Sequence, residues 1–257
     1  MKNKKNNELA VCGFAAVKTL EKNDSSRIKR LYFTQERAAL FGGLCKDMSK
    51  RKAPYNIVKE TSELEKLCGS IHHQGVVAMI EAPEVKELDS DTVEGWIDNN
   101  EDALLLDHVG NANNLGAIVR SAAFFGIRNI IIPQDEAQSS ITTSSYRVAE
   151  GGMEYVNIFS VQSIENLLQA IDGKIVRIGT DLHAKKNVGE IRNICGDKPA
   201  IVILGNEENG ISEVVRKNCD DLVIIPFSGM TIGRASPVDS LNVAQAASII
   251  LYELNKK

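Results

Sequence analysis

Residues 200–212 read AIVILGNEENGIS, and residues 222–254 read LVIIPFSGMTIGRASPVDSLNVAQAASIILYEL. Each opens on a short apolar run, 200–204 and 222–225, with the length and β-branched content of a strand buried on both faces. Each run ends in a loop carrying groups that a core does not need. Gly205, Glu207 and Gly210 follow the first run, and Ser240 and Asn242 follow the second. Ser240 stands where an N-cap is expected for a helix over 241–254. Ligands of open α/β sheets bind where strand ends meet such loops. A site is expected here.

The same alternation extends back to residue 103. Strands are predicted at 103–107, 128–132, 155–159 and 174–179, and helices at 115–125, 142–150, 164–171 and 212–217. Continuous apolar strands alternating with helices imply a parallel sheet covered on both faces. Residues 83–102 are acidic and polar, with Pro83, Gly95 and the cluster DNNED, and read as a linker with a short helix around Trp96. Residues 1–82 form a small α/β domain of their own. Its predicted helices are 15–20, 36–49 and 62–68, and its strands 28–33, 55–59 and 75–81. The apolar run 9–17 follows Lys2, Lys4 and Lys5 as in a secretory signal, but it contains Gly13 and leads into Lys18 without a cleavage pattern. It reads as the first helix or strand of that domain.

The chain has 257 residues, 43% hydrophobic and 25% charged, an ordinary globular composition. Its net charge of −4 does not suggest a polyanion partner. The distribution does. Through residue 85 there are 15 Lys and Arg against 10 Asp and Glu, or +5, while the remainder carries 15 against 24, or −9. The basic residues cluster as Arg27, Lys29 and Arg30, then Lys46, Lys50, Arg51 and Lys52. A solvated face is the plain reading of such knots, and phosphate contact is the functional one. Five scattered cysteines without C-x-x-C point to reduced thiols in a cytoplasmic protein. The four histidines lack metal spacing, so no metal is expected, and no stretch has transmembrane length.

Residues 107–126, DHVGNANNLGAIVRSAAFFG, run from a strand into a helix. Asn113 or Asn114 is placed to cap it, and Leu115, Ile118, Ala122 and Phe125 make a buried stripe. Arg120 follows Asn113 by seven residues, on nearly the same face. A phosphate would suit its bidentate fork, and an internal salt bridge is the alternative. A dinucleotide site is also conceivable, because Gly110 and Gly116 sit near a strand–helix turn and Asp135 or Glu136 follows at ribose-binding distance. G-x-G-x-x-G is absent, however, and that signal is weak.

Taken together, Asn-Leu-Gly-Ala-Ile-x-Arg, Gly-x-Glu-x-x-Gly and Ile-Pro…Ser-Leu-Asn-Val resemble the SpoU (TrmH-type) RNA 2′-O-ribose methyltransferases of the SPOUT superfamily. The resemblance covers about residues 100–257. GFAAV at 13–17 and HQGVVA at 73–78 resemble that family's small substrate-binding domain. The resemblance implies an α/β SPOUT domain over 103–257 with a deep C-terminal trefoil knot, an exception to the rule against threaded chains. It also implies S-adenosylmethionine as methyl donor, RNA as substrate with ribosomal RNA favoured over transfer RNA, and a homodimer. By motif position, Thr180, Gly205, Gly210, Ile225 and Leu241 would contact the donor, while Asn114, Arg120, Glu207, Ser240 and Asn242 would form the catalytic group. The family proposal makes Arg120 the base; stabilising a developing alkoxide or gripping a phosphate suits a guanidinium better. Two features depart from the family pattern. The loop 226–240, with Arg234 and Pro237, is roughly seven residues longer than usual, and added loop length tends to alter function rather than fold. Residues 149–153, AEGGM, stand where many members have Ser-x-Gly-Ala. An RNA-binding paralogue without turnover and, from another class, an NAD oxidoreductase are the alternatives.

Overall fold

A computed structural model of the chain describes residues 2–3, 7–135, 137–206, 208–227, 238 and 240–256. The chain divides into two compact units, residues 1–84 with 140–155, and residues 85–139 with 156–257.

The first unit starts with β1 (Lys2–Asn3), β2 (Glu8–Cys12), α1 (Phe14–Asp24), β3 (Ile28–Thr34), α2 (Gly42–Lys50), β4 (Tyr55–Val58), α3 (Thr61–Cys68) and β5 (Val76–Glu81). The apolar run 9–17 is thus strand and helix in turn, broken at Gly13. The helix expected over 36–49 is a 3-10 turn, Gln35–Phe41, followed by α2. The sheet order is β1-β2-β5-β3-β4, with only β3 and β4 parallel. Alternate residues point to opposite faces. Ala10, Cys12, Val58, Val77 and Met79 join Leu64 and Cys68 of α3 in one cluster. On the other face Phe33 meets Phe41 at 5.8 Å, and Phe41 meets Phe14 of α1 at 6.1 Å. The two short motifs of this unit touch each other, since Gln74 Oε1 accepts from the Phe14 amide at 2.8 Å.

The second unit contains β6 (Lys86–Glu87), α4 (Ser90–Asp98), β7 (Ala103–Asp107), α5 (Ala112–Phe125) and β8 (Asn129–Pro133). Residues 83–102 are therefore not a free linker. β6 pairs with the sheet edge, and Trp96 of α4 is buried in the core with Leu105, Ile131 and Leu168. An indole that large anchors a helix; the polar residues around it lie on the solvent side.

Between β8 and β9 lies α6 (Thr143–Ala149), which packs against β2 and α1 of the first unit. Placing all of 103–257 in one domain is corrected here. Residues 149–153 explain part of it: Gly151 has φ +95°, and a Cβ there would lie 2.4 Å from Thr19 Oγ1. Only glycine accepts both conditions. Glu154 forms an ion pair with Arg27, whose Nη2 also donates to the Tyr146 hydroxyl at 3.1 Å.

The chain continues through β9 (Asn157–Val161), α7 (Ile164–Ala170), β10 (Val176–Thr180), β11 (Lys186–Asn187), α8 (Ile191–Cys195), β12 (Ala200–Gly205), α9 (Glu213–Asn218), β13 (Asp221–Ile224) and α10 (Val243–Leu254). Eight parallel strands stand in the order β11-β13-β10-β12-β7-β8-β9-β6. From β7 the chain moves through α5 to β8 on one side, and from β12 through α9 to β13 on the other. The neighbours β7 and β12 thus flank the point where strand order reverses, the usual place for a ligand crevice.

Candidate active site

The ends of β7 and β12 are in register, Gly205 opposite Asp107. After Gly205 the chain turns back at once. Asn206 N donates to Gly210 O at 3.0 Å, and Gly210 N to Asn206 O at 2.9 Å. A Cβ on Gly205 would lie 2.1 Å from Gly210 C and 2.2 Å from Ile211 N, so this position requires glycine for close approach of backbone. Thr180, ending β10, donates its hydroxyl to Ile203 O of β12 at 3.0 Å. Ile225 follows β13 and is half-buried. Four of the five expected donor contacts (Thr180, Gly205, Gly210 and Ile225) therefore stand at or just beyond the C-terminal ends of β10, β12 and β13.

The catalytic candidates divide. Asn242 Nδ2 donates to Asn114 Oδ1 at 3.1 Å, joining residues 128 apart. Asn242 Oδ1 accepts from the Ala244 amide at 2.9 Å, so Asn242 is the N-cap of α10. Ser240 is not the cap, and it is exposed, as is Leu241 at 43%. Serine and asparagine cap almost equally well, so residue type could not choose between them. The cap of α5 is likewise Asn111, whose Oδ1 accepts from Asn113 N at 2.8 Å, not Asn113 or Asn114. That helix starts a turn before its apolar stripe, which frees Asn114 to face α10. Glu207, Arg234 and Pro237 lie outside the described residues, as does Glu136.

Seven residues are nearly two helical turns, so Arg120 shares an outward face of α5 with Asn113 and, one turn on, Phe124. Arg120 is exposed, and Phe124 is 82% exposed. The small residues of α10 do not supply such a face. Ala247 is buried, and Ser248 Oγ meets Ser121 Oγ of α5 at 2.8 Å, so they let α5 approach within the chain.

Sequence reasoning passed over Asp107 and His108. Asp107 Oδ2 accepts from Ser212 N at 2.6 Å, and its Oδ1 lies 2.6 Å from His108 Nδ1. A polar residue closing the run ALLLD was the signal. The dinucleotide reading fails on geometry: Gly116 is buried inside α5, and Asp135 Oδ1 is turned back onto Ala137 N at 2.7 Å. That hydrogen bond, with His108 nearby, holds the Asp135 carboxyl below its ordinary range. Among the described residues no group of three His, Cys, Asp or Glu side chains could hold a metal ion, and no helix is long and apolar enough to cross a membrane.

The profile of the SpoU rRNA methylase family matches residues 102–252, more than half of the chain. The chain belongs to the SpoU rRNA methylase family. Residues 10–86 match the RNA 2′-O ribose methyltransferase substrate-binding family. The 23S rRNA (guanosine-2′-O-)-methyltransferase RlmB of Acinetobacter baylyi is 34% identical over 240 residues, 91% of this chain and 86% of that protein. YacO of Bacillus subtilis, placed in the TrmH family of tRNA/rRNA methyltransferases, is 32% identical over 188 residues, 72% of this chain and 71% of its own. Among solved structures, the SpoU methyltransferase AviRb from Streptomyces viridochromogenes in complex with the cofactor AdoMet superposes with a TM-score of 0.72 at 25% identity, over 98% of this chain and 90% of that one.

Proposed function

We propose that this SpoU-family chain is an S-adenosylmethionine-dependent methyltransferase acting on a ribose 2′-hydroxyl of ribosomal RNA, in the cytoplasm. The observation that carries the reading is the Asn114–Asn242 hydrogen bond, which unites two of the three motifs of the resemblance. The ribosomal substrate is favoured by the relative that acts on 23S rRNA, and transfer RNA is the second choice.

The rim fits the donor. Gly205, Gly210, Ile225 and Leu241 carry no charge, and a tight backbone turn beside a neutral apolar rim suits a molecule held largely through main-chain groups. When bound, S-adenosylmethionine supplies a methyl group activated on a sulfonium. The residues then have to align, dry and polarise the acceptor, with no covalent nucleophile required. Asn242, held at both ends of its amide, orients the side chain of Asn114, whose N–H donors suit a ribose oxygen. Arg120 stabilises charge on the 2′-oxygen or grips the adjacent phosphate with its planar fork. Glu207 and Ser240 complete the group by motif.

Arg120 and Phe124 share a face of α5, and Tyr252 (54% exposed) and Ile249 lie exposed on α10. A second copy covering this apolar surface gives a homodimer, with Arg120 at its interface. We also propose that the second unit carries the family's C-terminal trefoil knot, a reading supported by the packing of α10 on α5 and by β10 lying between β12 and β13.

Purified protein should transfer methyl from the donor to ribosomal RNA and leave one ribose resistant to alkaline cleavage. Arg120→Ala should abolish transfer with donor binding intact, and Arg120→Lys should fail as well, lacking the fork. Methyl on a base, or full activity of the lysine variant, overturns the assignment. A protein that binds donor and RNA but never turns over is the inactive paralogue.

A further inference from the structure

We infer that Asp107 is a positioning residue, its buried carboxylate seating the 205–210 turn on which donor binding depends; this rests on the donor reading above. Asp107 is 1% exposed, and a carboxylate there is tolerable only if hydrogen bonds surround it. One oxygen accepts from the Ser212 amide, just past the turn, and the other meets the His108 ring, each at 2.6 Å. At the entrance to the turn, Asn206 Nδ2 donates to the His108 carbonyl at 3.0 Å. Both ends of the turn are thus fastened to two consecutive residues at the end of β7. His108 holds φ at +63°, a left-handed conformation uncommon outside glycine. Its ring is braced on both sides, by Asp107 and by Asp135, whose Oδ2 lies 3.4 Å from Nε2. A backbone held off its preferred conformation persists where surrounding contacts over-determine it. With Asp107 buried and both oxygens engaged inside the chain, its influence runs through the seat of the turn.

The test compares Asp107→Asn, Ser212→Pro and Ser212→Ala with wild type. Ser212 has φ −63° and ψ 156°, which proline adopts without strain, so Ser212→Pro deletes the amide hydrogen. It also deletes the hydroxyl that accepts from Val215 N at 3.4 Å; Ser212→Ala loses that hydroxyl alone and is the control. Asp107→Asn and Ser212→Pro should each weaken S-adenosylhomocysteine in calorimetry by at least about tenfold, the scale of a lost charge-assisted hydrogen bond. The donor KM should rise while the RNA KM stays, at temperatures where thermal unfolding shows every variant folded. Ser212→Ala should bind within about twofold, and the Asp107→Asn/Ser212→Pro double variant should bind no worse than the weaker single one, because both remove one interaction. Folded variants that bind like wild type overturn the proposal. Should the variants not fold, amide exchange in the wild type decides: the Ser212 amide must exchange as slowly as those of β12, and fast exchange overturns it. A wild type that fails to bind S-adenosylhomocysteine overturns the donor reading instead. The positioning role then stands or falls on whether Asp107→Asn speeds exchange of the Asn206 and Gly210 amides.

Discussion

In the basic clusters of the first unit the arginines serve the fold and the lysines face water, while in the second unit the polar side chains at the strand ends hold one another. Arg51 donates to the carbonyls of Ser25, Ser26 and Ile28 and to Asp47. Arg27 is tied to Glu154 and Tyr146, and Arg30 to Glu8. Lys29, Lys46, Lys50 and Lys52 are exposed and have no ion-pair partner among the described residues. A guanidinium with five donors in a fixed fork fastens several carbonyls at once, whereas an ammonium on a flexible stem stays hydrated. Any phosphate contact in those basic clusters therefore falls to the lysines. In the second unit, Asn114 with Asn242 and Asp107 with Ser212 join segments about 100 residues or more apart in the chain, and neither contact is an ion pair.

The largest effect is expected at the tightest contact. Gly205→Ala places a methyl group against the backbone of residues 210 and 211. It should cost about 3 kcal/mol and abolish donor binding. Gly42 in the first unit is the counterpart: it is helical at φ −57°, with nothing within 4 Å of a Cβ, and Gly42→Ala should be neutral or gain roughly 0.5 kcal/mol. Urea unfolding reads both, Trp96 fluorescence following the second unit and circular dichroism the whole. Equal stability of the two variants would show that the turn at 205–210 yields.

Next comes the double use of Asn242. Asn242→Ala loses the cap, about 1 kcal/mol, together with its bond to Asn114. Asn242→Asp keeps an acceptor for the Ala244 amide and puts negative charge at the start of α10, so stability should hold. It cannot donate to Asn114, and turnover should fall on the order of a hundredfold, as when one positioned donor is removed from a site. A fully active aspartate variant would reduce Asn242 to a helix cap.

How far the sequence reaches can be judged from these residues. The six main strands of the parallel sheet were legible because continuous β-branched runs between helical periods have few other uses. Of the three motifs from which the candidate site was read, two meet as Asn114 and Asn242. The caps were misplaced by two or three residues, since Asn111, Asn113 and Asn114, or Ser240 and Asn242, differ in position and not in kind. Asp107 was missed because burial decides its meaning, and a polar residue closing a strand looks like the strand's end. The allegiance of 140–155 was not legible, because Gly151 against Thr19 and Glu154 against Arg27 are meetings of residues more than 120 positions apart.

The lysines can be separated from the arginine that sits among them. Lys50→Glu with Lys52→Glu should weaken binding to a ribosomal RNA fragment and make its salt dependence shallower by about 0.7–0.9 per lost phosphate contact, with thermal stability unchanged. Arg51→Ala should do the opposite, lowering stability by about 2 kcal/mol as three carbonyls and Asp47 lose their donor, with the salt slope kept. A double lysine variant with wild-type affinity and slope would leave these lysines as a solvated face.

The smallest effect separates two arginine pairs that look alike. Arg177 of the second unit donates to both oxygens of Asp220, to Asp172 and to Leu168 O, and the hydrogen bonds from Arg177 hold the Asp220 carboxyl below its usual range. Glu154, the partner of Arg27, is raised, because burial outweighs Arg27, and its Oε1 is buried without a hydrogen bond among the described residues. The signs are opposite. The contribution of Asp220 is complete above its unfolded value and is lost as pH falls through the folded one. That of Glu154 is complete below its unfolded value and is lost as pH rises through the folded one. Burial therefore disfavours the ionised form of Glu154, and at pH 7 Glu154→Gln, which still accepts from Arg27, should lie within about 1 kcal/mol of wild type or above it. Asp220→Asn should be the more destabilising of the two at pH 7, and its deficit should shrink on acidification. Relative to wild type, any advantage of Glu154→Gln should shrink on acidification, as the native carboxyl takes up its proton. Urea titrations of both variants from pH 4 to 8 decide the matter: a Glu154→Gln loss as large as that of Asp220→Asn, growing with pH, would make the Arg27 pair a stabiliser of the first unit after all.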